Sequence, residues 1–418
     1  MEMSKDQIDA KNKILDWLKS KNRSSYMTLG GFAGTGKSSL IAEVRKSLPK
    51  MWKVAFCAFT GKAASVLKGK LDAVNAIHSD DYIGTIHGLC YRVREDPETL
   101  LNVFERRWDV HYDLIVVDEA SMVTKELFSD LRSFRIPILF VGDHGQLPPI
   151  SSDGFNLMEK PDIRLEEVHR FSTDSALLDL SVLARSGDKI PIKDFSDKVF
   201  KTTERDRRVD EFIINRLSDF SNGVCLCATN NTRVDVNQLM RKHLGLISDL
   251  SDKVPRVSDR VVCLRNNHGL ANPIYNGMLG SVVAVHDAPG IIENAYNMRI
   301  VMDEGFKYCG MASKETFCRM KASMEQKVKE FVTFRELMEL KDNLTIAEKK
   351  KIRKLGKKKI YFDQFDFGYC LTVHKSQGSE WGNVLLFEES CGQWDDETAR
   401  RWMYTAVTRS NDRLLIVC

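Results

Sequence analysis

The sequence predicts an α/β protein built on parallel sheets and divided into more than one domain. Three observations predict it. A chain of 418 residues is longer than one hydrophobic core usually serves, and suggests two to four domains. Short apolar runs recur between helical stretches: "YMTLG" (26–30), "KVAFCAFT" (53–60), "YDLIVVDEA" (112–120) and "IPILFVGD" (136–143). Such runs, without polar alternation, are strands buried on both faces, as parallel strands are. Finally, "GGFAGTGKSSL" (30–40) stands between the first of these strands and a helix-forming run.

That stretch fits G-x-x-x-x-G-K-[ST] through Gly31, Gly36, Lys37 and Ser38. Glycines let successive backbone N–H groups turn towards phosphate oxygens; the lysine adds a cation, and the serine hydroxyl can ligate Mg²⁺. Gly34, Thr35 and Ser39 belong to the same cradle. Downstream, the strand "LIVVDEAS" ends in Asp118 and Glu119. Beside a phosphate cradle, Asp118 can share the metal with Ser38 while Glu119 polarises an attacking water. A third strand runs into "GDHGQLPPI", where Gln146 can sense both the γ-phosphate and the water, on a loop stiffened by Pro148 and Pro149. Arg170 and Arg409 suit stabilisation of charge on a transferring phosphoryl group, or equally surface ion pairs.

The same texture returns from about 165 to 260, clearest in "GVCLCATNN" (223–231), and again from "DFGYCLTVHKSQGSEWGNVLLFE" (366–388) to "RLLIVC" (413–418). Between them, "DRVVCLRNN" (259–267) and "NGMLGSVVAVHDA" (276–288) are β-rich and glycine-punctuated, and 321–359 is polar and helix-forming. An insertion over 259–365 in a second α/β domain is expected.

Composition narrows the class. With 43% hydrophobic and 29% charged residues the chain is globular, and no apolar run reaches the roughly 18 residues of a membrane span. The amphipathic N-terminus "MEMSKDQIDAKNKILDWLKSK" mixes acids and bases, unlike a signal peptide. Ten cysteines without C-x-x-C spacing point to reduced cytosolic thiols rather than a zinc site or disulfide scaffold. A net charge of +4 says little about nucleic acid by itself.

In this order, the motifs resemble those of superfamily 1 helicases, best the B-type branch that contains phage Dda and RecD-like enzymes. Gln7 falls where the family reads adenine. "AFTGKAASVL" (58–67) resembles the next motif, with Phe59 where the family usually has proline, and "GTIHGL" (84–89) resembles its Thr-Ile-His motif. Arg170 matches the first arginine finger, "LTVHKSQGSEW" (371–381) supplies Gln377 and Gly378 to the nucleotide, and "YTAVTRS" (404–410) makes Arg409 the second finger.

The resemblance implies two RecA-like lobes. Lobe 1A would span 1–89 and 110–164 with a pin insertion at 90–109; lobe 2A would span 165–258 and 366–418 with an SH3-like and helical insertion at 259–365. ATP and Mg²⁺ would be the cofactors, single-stranded and forked DNA the partners, and 5′→3′ the direction. Implied DNA contacts are Thr60, Gly61, Lys62, Thr85, His87, Thr372, His374 and Lys375, although His87 and His374 fit buried structural roles equally well. Phe104 or Trp108, flanked by Arg106 and Arg107, would stack on the duplex end, or else pack inside a helix, since "DPETLLNVFERRW" also has helical spacing. The run "KKKIRKLGKKK" (349–359), eight basic residues of eleven, fits either a solvated helix face or a phosphate grip. A monomer in a bacterial or phage-infected cytoplasm is expected, with a single-strand-binding protein as a candidate partner. A translocase that mainly displaces bound proteins is the alternative; a nucleotide kinase is disfavoured, having no use for the C-terminal motifs.

Overall fold

The first four apolar runs fold as neighbours. In the computed structural model, β1 (Tyr26–Gly31), β2 (Val54–Ala58), β3 (Tyr82–Thr85), β6 (Leu114–Asp118), β7 (Ile138–Gly142) and β8 (Ile163–Leu165) form one parallel sheet in the order β3-β2-β6-β7-β1-β8. The model describes residues 3–95, 102–149, 154–168, 175–217, 220–267, 270, 272–288, 292–318, 331–339, 345–346, 349–350, 352, 359–389 and 394–418. Every residue of β2 and β7 is buried, as the uninterrupted hydrophobic runs require of a sheet covered on both faces. Helix α1 (Lys5–Lys19) starts at a capping box, Ser4 with Gln7, and buries Ala10, Ile14, Trp17 and Leu18 on one face. Helices α2 (Lys37–Ser47), α3 (Gly61–Asp72), α4 (Ile86–Cys90) and α5 (Lys125–Ser133) follow β1, β2, β3 and β6 in turn.

The chain divides into two units. The first holds Met1–Arg92, Arg106–Leu217 and Val373–Cys418; the second holds Val93–Glu105 and Ser218–Thr372. In the first, the strand Ser410–Val417 lies parallel between Trp381–Phe387 and Val199–Thr202, with the helix Asp396–Val407 leading into it. In the second, Lys307–Ser313, Ala295–Met302, Leu279–Asp287, Arg260–Cys263 and Phe365–Phe367 form an antiparallel sheet in that order, and Gly223–Cys227 pairs in parallel with Cys370–Thr372.

One local expectation changes. Within 321–359, Phe331–Thr333 and Lys359–Tyr361 are antiparallel strands around the short helix Phe334–Glu339, because "FVT" and "KIY" carry the β-branched and aromatic residues that suit a ladder. Most of the basic run 349–359 lies outside the described residues. Further upstream, of the two readings open for 90–109, a pin or a helix, the described residues follow the strand one: β4 (Tyr91–Glu95) and β5 (Asn102–Arg106) form a two-stranded sheet.

Candidate nucleotide site and nucleic-acid contacts

Because β6, β7 and β1 are adjacent and parallel, their C-terminal ends bring three loops side by side, the usual place for a ligand in such sheets. The loop after β1 enters α2 through Gly36, whose φ of 78° is left-handed and whose added Cβ would lie 2.2 Å from Gln7 Nε2. Only glycine fits there. No side chain caps α2, so its first amides are open donors at the positive end of the helix. Lys37 Nζ donates to the carbonyls of Gly31 (2.7 Å) and Phe32 (2.9 Å), which keeps the ammonium inside the loop. Gln7 Nε2 donates to Thr35 O at 3.0 Å; Gly34 also has positive φ, and Ser39 is exposed.

Glu119 has φ 55° and ψ 40°, a strained backbone for a side chain other than glycine. Burial, with the Asp118 charge second, pushes its carboxyl up to about 7; Arg409 and Lys37 pull against the rise. Burial likewise raises Asp118, opposed by the Glu119 N–H, Lys70 and Lys37. Lys70 Nζ lies 3.5 Å from Ser38 Oγ. Two desolvated carboxylates beside a serine hydroxyl form an oxygen donor set suited to a hard divalent cation.

The loop after β7 is held by the Asp396–Val407 helix. Arg401 donates to the carbonyls of His144 (2.9 Å) and Gln146 (3.0 Å), and Thr405 Oγ1 accepts from Leu147 N at 3.0 Å. Gln377, expected at the nucleotide, donates from Nε2 to Leu147 O at 2.8 Å. Gln146 is 4% exposed; its Nε2 points to Asp143 Oδ2 at 3.4 Å, and its Oε1 has no hydrogen-bond partner among the described residues. Arg409, 3% exposed, donates to Thr405 O and Ser379 O, both at 2.9 Å, at the end of its own helix. Arg170 lies outside the described residues.

The expected nucleic-acid contacts fall at strand ends. Thr60 and Thr85 are N-caps, accepting from Ala63 N (3.1 Å) and Gly88 N (3.0 Å). Gly61 opens α3, and Lys62 Nζ sits 4.6 Å from the centre of the Trp381 ring. His87 packs between Phe59 and Tyr91, and Lys375 is exposed. Burial holds His374 below the usual imidazole range. Thr372, in the second unit, is buried at the end of its strand. A Cβ on Gly378, where φ is 74°, would meet Ala63 Cβ at 3.3 Å and Glu119 Cγ at 3.9 Å, so that glycine joins the α3 turn to the carboxylates. At the foot of the hairpin, Tyr91 and Arg106 both reach Asp130 on α5, while Trp108 is 74% exposed with the Arg106 guanidinium 4.3 Å from its ring centre. Nothing is described of the Phe104 side chain.

Sequence reasoning missed Lys70, Asp143, Arg401, Tyr404, Thr405 and Trp381. The spacing 401, 404, 405 on the helix Asp396–Val407 was the available signal, since those positions share one face.

Comparisons with known proteins agree with this arrangement. A family model described as "AAA domain" matches residues 2–211, half of the chain, and one described as "UvrD-like helicase C-terminal domain" matches residues 367–417. The ATP-dependent RecD2 DNA helicase of Deinococcus radiodurans is 26% identical over 411 residues, covering 93% of this chain and 46% of that protein. The ATP-dependent DNA helicase PIF1 of Saccharomyces cerevisiae is 32% identical over 235 residues, 49% of this chain and 26% of that protein. The chain therefore spans about half, or less, of the length of these two relatives. Among solved structures, the Pif1 helicase from Bacteroides in complex with ADP-AlF3 and ssDNA shares the fold with a TM-score of 0.55 at 18% identity, covering 100% of this chain and 92% of that one. The chain belongs to the AAA-domain family, and over much of its length it is similar to RecD2 and PIF1 DNA helicases.

Proposed function

We propose that this chain is an ATP-dependent DNA helicase that moves 5′→3′ along single-stranded DNA and separates duplexes ahead of it. The observation that carries the proposal is the gathering, within one unit, of the phosphate cradle with Lys37, the carboxylates Asp118 and Glu119, the open Gln146 amide and Arg409. Each has a distinct task. Lys37 and the α2 amides hold the phosphates, and Gln7 is placed against the loop to read the base. Glu119 takes a proton from the attacking water, and Gln146 Oε1, an acceptor with no partner among the described residues, orients it. Arg409 supplies positive charge beside Glu119 as the second arginine finger, with Arg170 proposed as the first. Ser38 and Asp118 would hold Mg²⁺, which supplies charge neutralisation at the phosphates.

Nucleic-acid contacts are proposed at Thr60, Gly61, Lys62, Thr85, His87, Thr372, His374 and Lys375. Trp108, exposed and stacked on Arg106, offers a base-stacking surface beside the β4–β5 hairpin. The test is ATP-driven separation of duplexes with a 5′ or a 3′ single-stranded tail. Unwinding of the 5′-tailed duplex alone is expected. A 3′ preference would overturn the direction, and strand-stimulated ATP turnover without unwinding would favour a protein-displacing translocase.

A further inference from the structure

Tyr404 is 1% exposed, and its hydroxyl joins two loops that carry different parts of the site. It accepts a hydrogen bond from Ala33 N in the phosphate loop at 2.9 Å and donates to Asp143 Oδ2 at 2.8 Å. Asp143, 1% exposed, also accepts from Gly145 N (2.9 Å) and from Gln146 Nε2 (3.4 Å). A carboxylate accepts and cannot donate, so it selects the Gln146 orientation with the amide nitrogen inward. The consequence is the open Oε1, buried and without a partner among the described residues. The ring itself is tightly seated: a Cβ on Gly145 would come within 2.9 Å of Tyr404 Cε1 and 3.1 Å of Phe32 Cε1. Shape therefore fixes the ring, and the hydroxyl is left to do something shape does not.

We propose that Tyr404 is a positioning residue for hydrolysis: its hydroxyl links the Ala33 amide to Asp143, and through Asp143 fixes the Gln146 acceptor for the attacking water. Neither the phenol nor Asp143 touches the reacting atoms. Displacement of the phosphate loop at Ala33 is thereby transmitted to Gln146, and the same helix face, through Arg401 and Thr405, holds the rest of that loop. The inference rests on the reading of this site as an ATP-hydrolysing one.

The experiment measures single-strand-stimulated ATP turnover by the wild type, Tyr404→Phe, Gln146→Ala and the double variant. Tyr404→Phe keeps the ring and is expected to lower kcat roughly 10- to 100-fold with KM for ATP within about threefold, the scale of a misplaced reacting group. In the Gln146→Ala background the same change should cost nothing further, because both act through one amide. Independent, multiplicative losses would overturn the proposal, as would a normal kcat in Tyr404→Phe while the wild type is active. A wild type without strand-stimulated turnover would overturn the helicase reading and this proposal with it. If Tyr404→Phe does not fold, Asp143→Asn serves instead: it offers the Gln146 amide a donor, and the same loss and the same non-additivity are expected.

Discussion

Two buried polar clusters, one in each unit, are built on opposite principles. In the second unit, Arg241 and Asp259 are both fully buried and completely paired. Arg241 donates to both Asp259 oxygens (2.9 and 3.1 Å), to Gln238 Oε1 (2.9 Å) and to the carbonyls of Asp252 and Val254 (both 2.6 Å). Tyr369 and the Arg256 N–H complete Asp259. In the first unit, Gln146 Oε1, Ser121 Oγ and His144 Nδ1 are buried without partners among the described residues, Glu119 has a strained backbone, and its carboxyl is pushed up to about 7. A cluster whose valences are closed holds a fold together; one with open valences, kept so by its surroundings, is prepared for something absent. The difference separates a structural ion pair from a candidate reaction site without reference to any relative.

Substitutions can break this contrast. Lys37→Ala has the largest expected effect, abolishing ATP hydrolysis while DNA affinity, followed by fluorescence anisotropy, stays within a few fold; retained turnover would remove the cradle assignment. Arg409→Ala should lower turnover by roughly 10³ with ATP affinity little changed, if its charge acts in the transition state. Arg241→Ala belongs to the other cluster. It strands Asp259 and should cost about 3–5 kcal/mol in urea unfolding, and a loss near zero would mean the pairing is ornamental. Gln146→Ala sharpens the contrast: turnover should fall, while the loss in urea unfolding should stay well below that of Arg241→Ala, because no buried charge is left without its ion-pair partner. The smallest stability effect should come from Trp108→Ala, within about 0.5 kcal/mol, with ATP turnover kept and strand separation reduced. Unimpaired separation there would assign duplex opening elsewhere.

Much of the candidate nucleotide site was legible because its residues sit at strand ends. An apolar run followed by Gly31, by Asp118 and Glu119, or by Gln146 announces both the strand and the residue at its tip, and the adjacency of β6, β7 and β1 does the rest. The hairpin was less legible. "NVFER" and "YRVRE" are too short for period to separate strand from helix, and what decides is a ladder partner several residues away. Lys62 shows a different limit. Its place in the motif suggested a phosphate contact, yet the side chain lies over Trp381, more than 300 residues later in the chain.

What the sequence determined by itself is therefore local: which runs are buried strands, where the phosphate-binding turn must be, and which charged residues end each strand. Spacing of a few residues encodes these, because backbone period and glycine conformation act over that range. Only the tertiary structure decided which valences are closed. That Arg241 is fully paired while Gln146 is not, and that Tyr404 bridges Ala33 and Asp143, depends on atoms 11 to 371 positions apart in the chain meeting within 3 Å. Hydrogen bonds are short-ranged and directional, so their completion or absence is a property of the packed molecule.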